Sequence, residues 1–114
     1  MKEFMFIIRG GEGKYNQASP EELQEHMQDW QKWMGNLAKS EQLIGGQPLM
    51  DEGKTLSNKG KKVTDRPFAE GKELVGGYLI IKADSLDHAT LIAKDCPSFV
   101  YGCTVEVREI NLME

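Results

Sequence analysis

Cysteine is scarce in this chain, and its placement excludes most of what cysteine does. Cys96 and Cys103 are the only two among 114 residues, and they stand seven positions apart where a metal or redox motif would need C-x-x-C. Both are expected to be small buried apolar residues in a reducing compartment, not a disulfide or a nucleophile. No metal constellation appears, and neither a metal nor another cofactor is expected. No stretch approaches the roughly 18 to 20 apolar residues of a membrane span, and the N-terminus has no basic start, apolar run and cleavage site. A cytoplasmic protein without membrane contact is the expectation. Positive charge is short as well: 14 Lys and Arg against 18 Asp and Glu give a net charge of -4. Nucleic acid is thereby a poor partner, because phosphate binding needs clustered cations. Lys59, Lys61 and Lys62 form the one basic cluster, which reads as a solvated hairpin tip. A G-x-S-x-G elbow is missing too. Gly10, Gly11 and Gly13 follow a strand without G-x-G-x-x-G spacing, and no helix is expected to open directly from them, so nucleotide binding there is not expected.

What is present reads as one domain spanning residues 1–114. "KEFMFIIRGG" is apolar on both alternation classes: Phe4, Phe6 and Ile8 share one face, Met5 and Ile7 the other, before Arg9. That is a strand covered on both sides. "SPEELQEHMQDWQKWMGNLAKS" opens with Ser19 as N-cap, Pro20 at the first helical position and Glu22 completing a capping box. Leu23, Met27, Trp30, Met34 and Leu37 then recur at spacings of four and three as one apolar stripe. "LIGGQPL" reads as a short strand interrupted by glycine, and "GKTLSNKGKKVTD" as a hairpin turning at Asn58 to Gly60. "ELVGGYLIIKA" is a strand with a bulge or close approach at Gly76 and Gly77. "DSLDHATLIAKDCP" is a second helix, capped by Asp84, burying Leu86, Ala89, Ile92 and Ala93 and stopped by Pro97. In "GCTVEVREI", Cys103, Val105 and Val107 face one way and Thr104, Glu106 and Arg108 the other.

Two helices and an antiparallel sheet of about four main strands make a ferredoxin-like α+β arrangement, with both helices on one face. Met5, Ile7, Tyr78 and Ile80 then occupy the other face. So much open apolar surface predicts a homodimer, sheet against sheet as a dimeric α+β barrel, with Arg9, Glu106 and Arg108 at the rim of the enclosed cavity.

Chemistry could reside at a few positions. His26 lies about 60° from Leu23 around the first helix, with Trp33 and Leu37 within about 20° of it. It is either a border histidine with one satisfied hydrogen bond or a neutral general base or ligand group. His88 reads as ordinary surface, and Trp30 and Trp33 as core. Asp65 precedes Arg66-Pro67-Phe68, and Pro67 has no N–H for the usual Asx-turn. The carboxylate therefore bonds further along, to Phe68 or Ala69, or stays available for a ligand, while Phe68 anchors the loop in the core. Lys72, with Glu70 and Glu73, reads as a source of exposed loop ion pairs of little energetic value.

Asp65-Arg66-Pro67-Phe68, Ala69-Glu70-Gly71-Lys72-Glu73, the Gly76-Gly77-Tyr78 strand start, the "SPEE" helix opening, the "CP" after the second helix and the closing "VEVREI" together resemble the YCII-related family. The branch they resemble is the one named for its Asp-Gly-Pro-Phe motif. The likeness covers residues 1 to 110 and implies a ferredoxin-like fold dimerising as an α+β barrel. It further implies a cleft with a His-Asp pair, which by position falls on His26 and Asp65. The expectation built on that pair is a small-molecule enzyme in which Arg9, Arg66, Tyr78 and Arg108 bind the ligand, the arginines steering a carboxylate or similar anion. Some members of that branch are associated with sigma-type transcription factors, which implies the alternative of a non-catalytic ligand- or protein-binding module in transcription control. Arg66 stands where the motif has Gly, so a turn requiring positive φ would be strained here.

Overall fold

A computed structural model describes residues 1–70 and 73–113, with the backbone alone for Glu12, Ala69, Glu70 and Glu73. The ion-pair reading at Lys72 lies outside the described residues. In chain order the elements are β1 (Lys2–Arg9), α1 (Glu12–Gln17), α2 (Pro20–Lys39), β2 (Leu43–Pro48), β3 (Thr55–Ser57), β4 (Lys62–Thr64), β5 (Ala69–Glu70), β6 (Glu73–Ala83), α3 (Leu86–Ala93) and β7 (Thr104–Glu109). A 3-10 turn, Pro97–Tyr101, precedes β7.

The main sheet runs β2-β6-β1-β7, with every neighbouring pair antiparallel. Each βαβ crossover therefore leaves one strand's width for an inserted neighbour, which is the ferredoxin-like arrangement that the element order predicts. β1, the inner strand between β6 and β7, pairs Phe6 with Leu79 on one side and with Val107 on the other. Strand alternation sends Phe4, Phe6 and Ile8 to the helix side together with Leu79, Ile81 and Ala83. All six are buried, five of them against Leu37 of α2 and Ala89 and Ala93 of α3, and Ile8 against Cys96, Tyr101 and Cys103. The opposite face carries Met5 beside Ile80 and Ile7 beside Tyr78, all half-buried in the single chain. Gly76 is skipped in the register, since Ile8 pairs with Gly77 and Arg9 with Val75, so the bulge expected at the glycine pair is there.

α2 starts as its sequence predicts. The Ser19 hydroxyl accepts from the Glu22 amide and the Glu22 carboxylate accepts from the Ser19 amide, both at 3.1 Å. Its stripe is buried only toward the C-terminal end, where Leu37 is enclosed and Trp33 stacks on Phe6 at 6.4 Å between ring centroids. Leu23 and Met27 stay exposed, because the first half of the helix meets the 3-10 turn instead of the sheet. On α3 the cap is Ser85, whose hydroxyl accepts from the His88 amide, and not Asp84. Leu86 is exposed and Pro97 opens the 3-10 turn after α3 has already ended at Ala93. The β3–β4 hairpin turns as predicted, with Asn58, Lys59 and Gly60 all at positive φ. α1 corrects the reading of the glycine run, since a six-residue helix does open there, with Gly11 at φ 88 as its N-cap.

Candidate functional site

One end of the sheet gathers most of the chemically able side chains, and the backbone shows why. β1 ends at Arg9, which sits opposite Val75 and Thr104. The Gly10 amide donates to Leu74 O at 3.1 Å and the Leu49 amide to Gly76 O at 2.8 Å. The turn into α1, the long excursion between β2 and β6, and the entry to β7 therefore all meet at this end. Gly11 is required there: a Cβ would lie 2.6 Å from Cys103 Sγ and 2.9 Å from the Tyr15 ring, on a backbone with φ 88.

On the helix side, Tyr15 of α1, His26 and Trp30 of α2 and Tyr101 of the 3-10 turn form an aromatic cage over Ile8, Cys96 and Cys103. Tyr15 stacks on Tyr101 at 4.3 Å between centroids and 11° between planes. The Trp30 indole N–H donates to His26 Nε2 at 3.1 Å, and the Tyr15 hydroxyl lies 3.1 Å from the same nitrogen. Spacing of four on one helix brings Trp30 to His26, whereas Tyr15 arrives from a helix the sequence did not announce. Burial lowers the His26 pKa from 6.5, with Asp29 opposing in part. Neutral imidazole is thus the folded form. Its contribution to stability is complete above about pH 6.5 and is lost as pH falls through the lowered folded value. Burial likewise pushes the Tyr15 phenol up to about 12 and raises the Cys96 thiol. Both cysteines are buried, as expected, and the Cys103 thiol donates to Gly10 O at 3.4 Å.

The excursion between β2 and β6 carries the second group. Leu49, Met50, Pro67, Phe68, Leu74 and Val75 line a cleft of about 280 Å³ with Lys54 among them. Asp65 is 85% exposed and pairs with Lys54 Nζ at 3.3 Å, so its carboxylate turns to a lysine upstream instead of to Phe68 or Ala69. The Arg66 carbonyl accepts from Thr55 Oγ1 at 2.7 Å. Pro67, not Phe68, holds the loop: it packs on Gly53, while Phe68 is 74% exposed at the cleft. Arg66 is not at positive φ, so a different turn accommodates it without left-handed strain. Arg66→Gly is accordingly expected to destabilise by no more than about 1 kcal/mol, through the freer unfolded chain alone. Urea unfolding checks it, and a gain in stability would show that Arg66 is strained after all.

On the open face, Arg9 Nη1 donates to Glu106 Oε1 at 2.5 Å, and Arg108 Nε lies 4.0 Å from Glu106 Oε2. Tyr78 sits between Ile7 and Gln47 in register. Arg9 and the Asp65–Arg66 loop thus belong to the same end of the sheet as His26, Tyr78 lies further in, and Arg108 lies four residues along β7 beside Met5. His26 and Asp65 share no hydrogen bond, each being engaged as described. Among the described residues no group of three His, Cys, Asp or Glu could hold a metal ion. No helix there is long and apolar enough to cross a membrane.

Comparison with curated proteins gives no match. Among solved structures the fold is similar to that of 5-chloro-2-hydroxyhydroquinone dehydrochlorinase from Burkholderia phenoliruptrix in complex with 2,5-dihydroxybenzoquinone. The TM-score is 0.51 and the identity 17%, over 96% of this chain and 93% of that one, a likeness of fold alone. The model of the YCII-related domain matches residues 3–113, nearly the whole of the sequence that carries the sheet, both long helices and the cage around His26, and the chain therefore belongs to the YCII-related family.

Proposed function

We propose that the protein is a small-molecule enzyme that works as a homodimer, with His26 as its acid–base group at the end of the sheet. Asp65 serves as its carboxylate partner or polarises the substrate, and Arg9, Arg66, Tyr78 and Arg108 hold an anionic ligand. The observation that carries this reading is the state of His26: a neutral imidazole in an aromatic cage, depressed in pKa, at the end of the sheet where β1 turns into α1. Titratable groups shifted by desolvation are the usual raw material of proton transfer. The exposure of Asp65 leaves it able to exchange Lys54 for a ligand or for His26, because a surface ion pair is worth little. The ligand in the neighbour's complex, a small ring edged with oxygens, is of the kind that arginine and tyrosine side chains bind through those oxygens.

The test is a metabolite extract incubated with the purified protein and followed by mass spectrometry. At least one small anionic compound is expected to be consumed, and about 100-fold more slowly by His26→Gln and by Asp65→Asn, the low end of what acid–base groups contribute. No compound consumed, or consumption by both variants at the wild-type rate, would remove the enzyme. The non-catalytic module linked to transcription regulation would then take its place.

A further inference from the structure

We infer that Trp30 and Tyr15 are positioning residues that hold neutral His26 with its proton on Nδ1, so that the imidazole meets a ligand as a hydrogen-bond donor to an oxygen atom. This rests on the reading of His26 as the reactive group and says which of its nitrogens does what.

An indole nitrogen can only donate. With Trp30 Nε1 at 3.1 Å, His26 Nε2 must offer its lone pair, and a neutral imidazole that accepts at Nε2 carries its proton at Nδ1. The Tyr15 hydroxyl, at 3.1 Å from the same nitrogen, can donate in support. It is a poor source of a full proton, since burial holds the phenol far from ionisation at neutral pH. Protonating Nε2 would turn an N–H against the Trp30 N–H and cost that hydrogen bond. The charged and titratable neighbours are Asp29 on α2, Tyr15 on α1, Tyr101 on the 3-10 turn with Glu22 and Glu25 facing it, and Cys103 behind Tyr15. Of the charged side chains only Asp29 acts directly on the imidazole, favouring its cation, and burial outweighs it. Among the described residues Nδ1 has no hydrogen-bond partner, which leaves its N–H for a ligand. A carbonyl, enolate or phenolate oxygen fits that donor. A ligand offering only N–H groups does not.

The chain supplies its own control. His88 Nδ1 accepts from the Asp84 amide at 3.1 Å, so neutral His88 must carry its proton on Nε2. Long-range ¹H–¹⁵N correlation spectra of the intact labelled protein, recorded about two units above the ordinary histidine pKa, read both rings at once. His26 is expected to show a pyridine-like Nε2 and a pyrrole-like Nδ1, with about a tenfold excess of that tautomer from one hydrogen bond, and His88 the reverse. Trp30→Phe should mix the His26 tautomers and move its titration midpoint upward. Tyr15→Phe, which keeps both the ring stack on Tyr101 and the Trp30 donor, should leave the His26 proton mainly on Nδ1 and its midpoint nearly in place. Wild-type His26 with its proton on Nε2, or evenly mixed, overturns the assignment whatever the variants do. The spectrum requires no turnover: an Nδ1–H His26 in a protein whose His26→Gln variant consumes the extract normally would remove the enzyme and leave the tautomer standing. Lost turnover with the other tautomer would do the opposite.

Discussion

Phe6→Ala is expected to cost about 3 to 5 kcal/mol of folding free energy, read as the difference between urea unfolding curves. Phe6 is fully enclosed at the middle of β1, with Leu79 and Val107 opposite it on the two flanking strands and Trp33 stacked over it from α2. Removing the ring loses its transfer free energy and leaves a space that three elements border. None can close that space alone, because two are fixed by strand register and the third by its own helix. A domain of this size has on the order of 5 to 15 kcal/mol in all, so the variant should lose a large fraction of its stability at room temperature. Met5→Ala is the matched control. It is the next residue on the same strand but points to the half-buried face, and it should cost about 1.5 kcal/mol or less, toward the lower end for partly exposed apolar groups. Equal costs at the two positions in the monomeric Ile80→Lys background would mean that the helices do not cover the face assigned to them.

That alternation was legible in the sequence because β7 states it where β1, apolar on both faces, does not: Val105 and Val107 fall in register with Ile8 and Phe6, and the contrasting Glu106 and Arg108 with Ile7 and Met5. The capping box of α2 and the left-handed Asn58, Lys59 and Gly60 of the hairpin were legible for a similar reason, each being a local motif whose hydrogen bonds close within a few residues. What escaped depends on contacts far apart in the chain. The apolar stripe of α2 is continuous in sequence, yet Leu23 and Met27 are exposed because the helix packs on the sheet only after Trp30. Nothing within 20 residues can say where a helix loses its partner. α1 has few of the marks of a helix, and it exists because Gly11 takes a left-handed cap and Tyr15 finds a stacking partner 86 residues later in Tyr101. His26 could be placed beside aromatic rings from the helical period alone, but its two polar partners divide along the same line. Trp30 is four residues away and readable, while Tyr15 depends on that unannounced helix. Asp65 shows the converse. Its missing Asx-turn followed from Pro67 alone, but the ion pair with Lys54 depends on how the excursion between β2 and β6 folds back.

Ile80→Lys is expected to turn the proposed dimer into a folded monomer. Ile80 lies at the middle of the open face, directly beside Met5 on one flank and Gly45 on the other, so no carboxylate stands opposite to pair with an introduced amine. In an isolated chain the lysine can reach water from this half-buried position, as long amphipathic side chains do, and circular dichroism should remain native. In a dimer closed sheet against sheet the same amine would be held away from water and unpaired, at a cost of several kcal/mol. A penalty of even 3 kcal/mol weakens association by more than about 100-fold. Sedimentation at micromolar concentration should therefore show a dimer for the wild type and a monomer for the variant. Lys82→Ala, two residues on and exposed at the edge of the same face, should leave the dimer intact. If the wild type sediments as a monomer at every concentration, or if Ile80→Lys remains dimeric, the half-buried Met5, Ile7, Tyr78 and Ile80 are not an interface between copies. Arg9 and Arg108, both held by Glu106 on that face, would then line open solvent instead of an enclosed cavity. An anion bound there would meet screened charges worth little, so the dimer and the ligand site are joined: without the first, the arginines lose the dry surroundings that would make them selective.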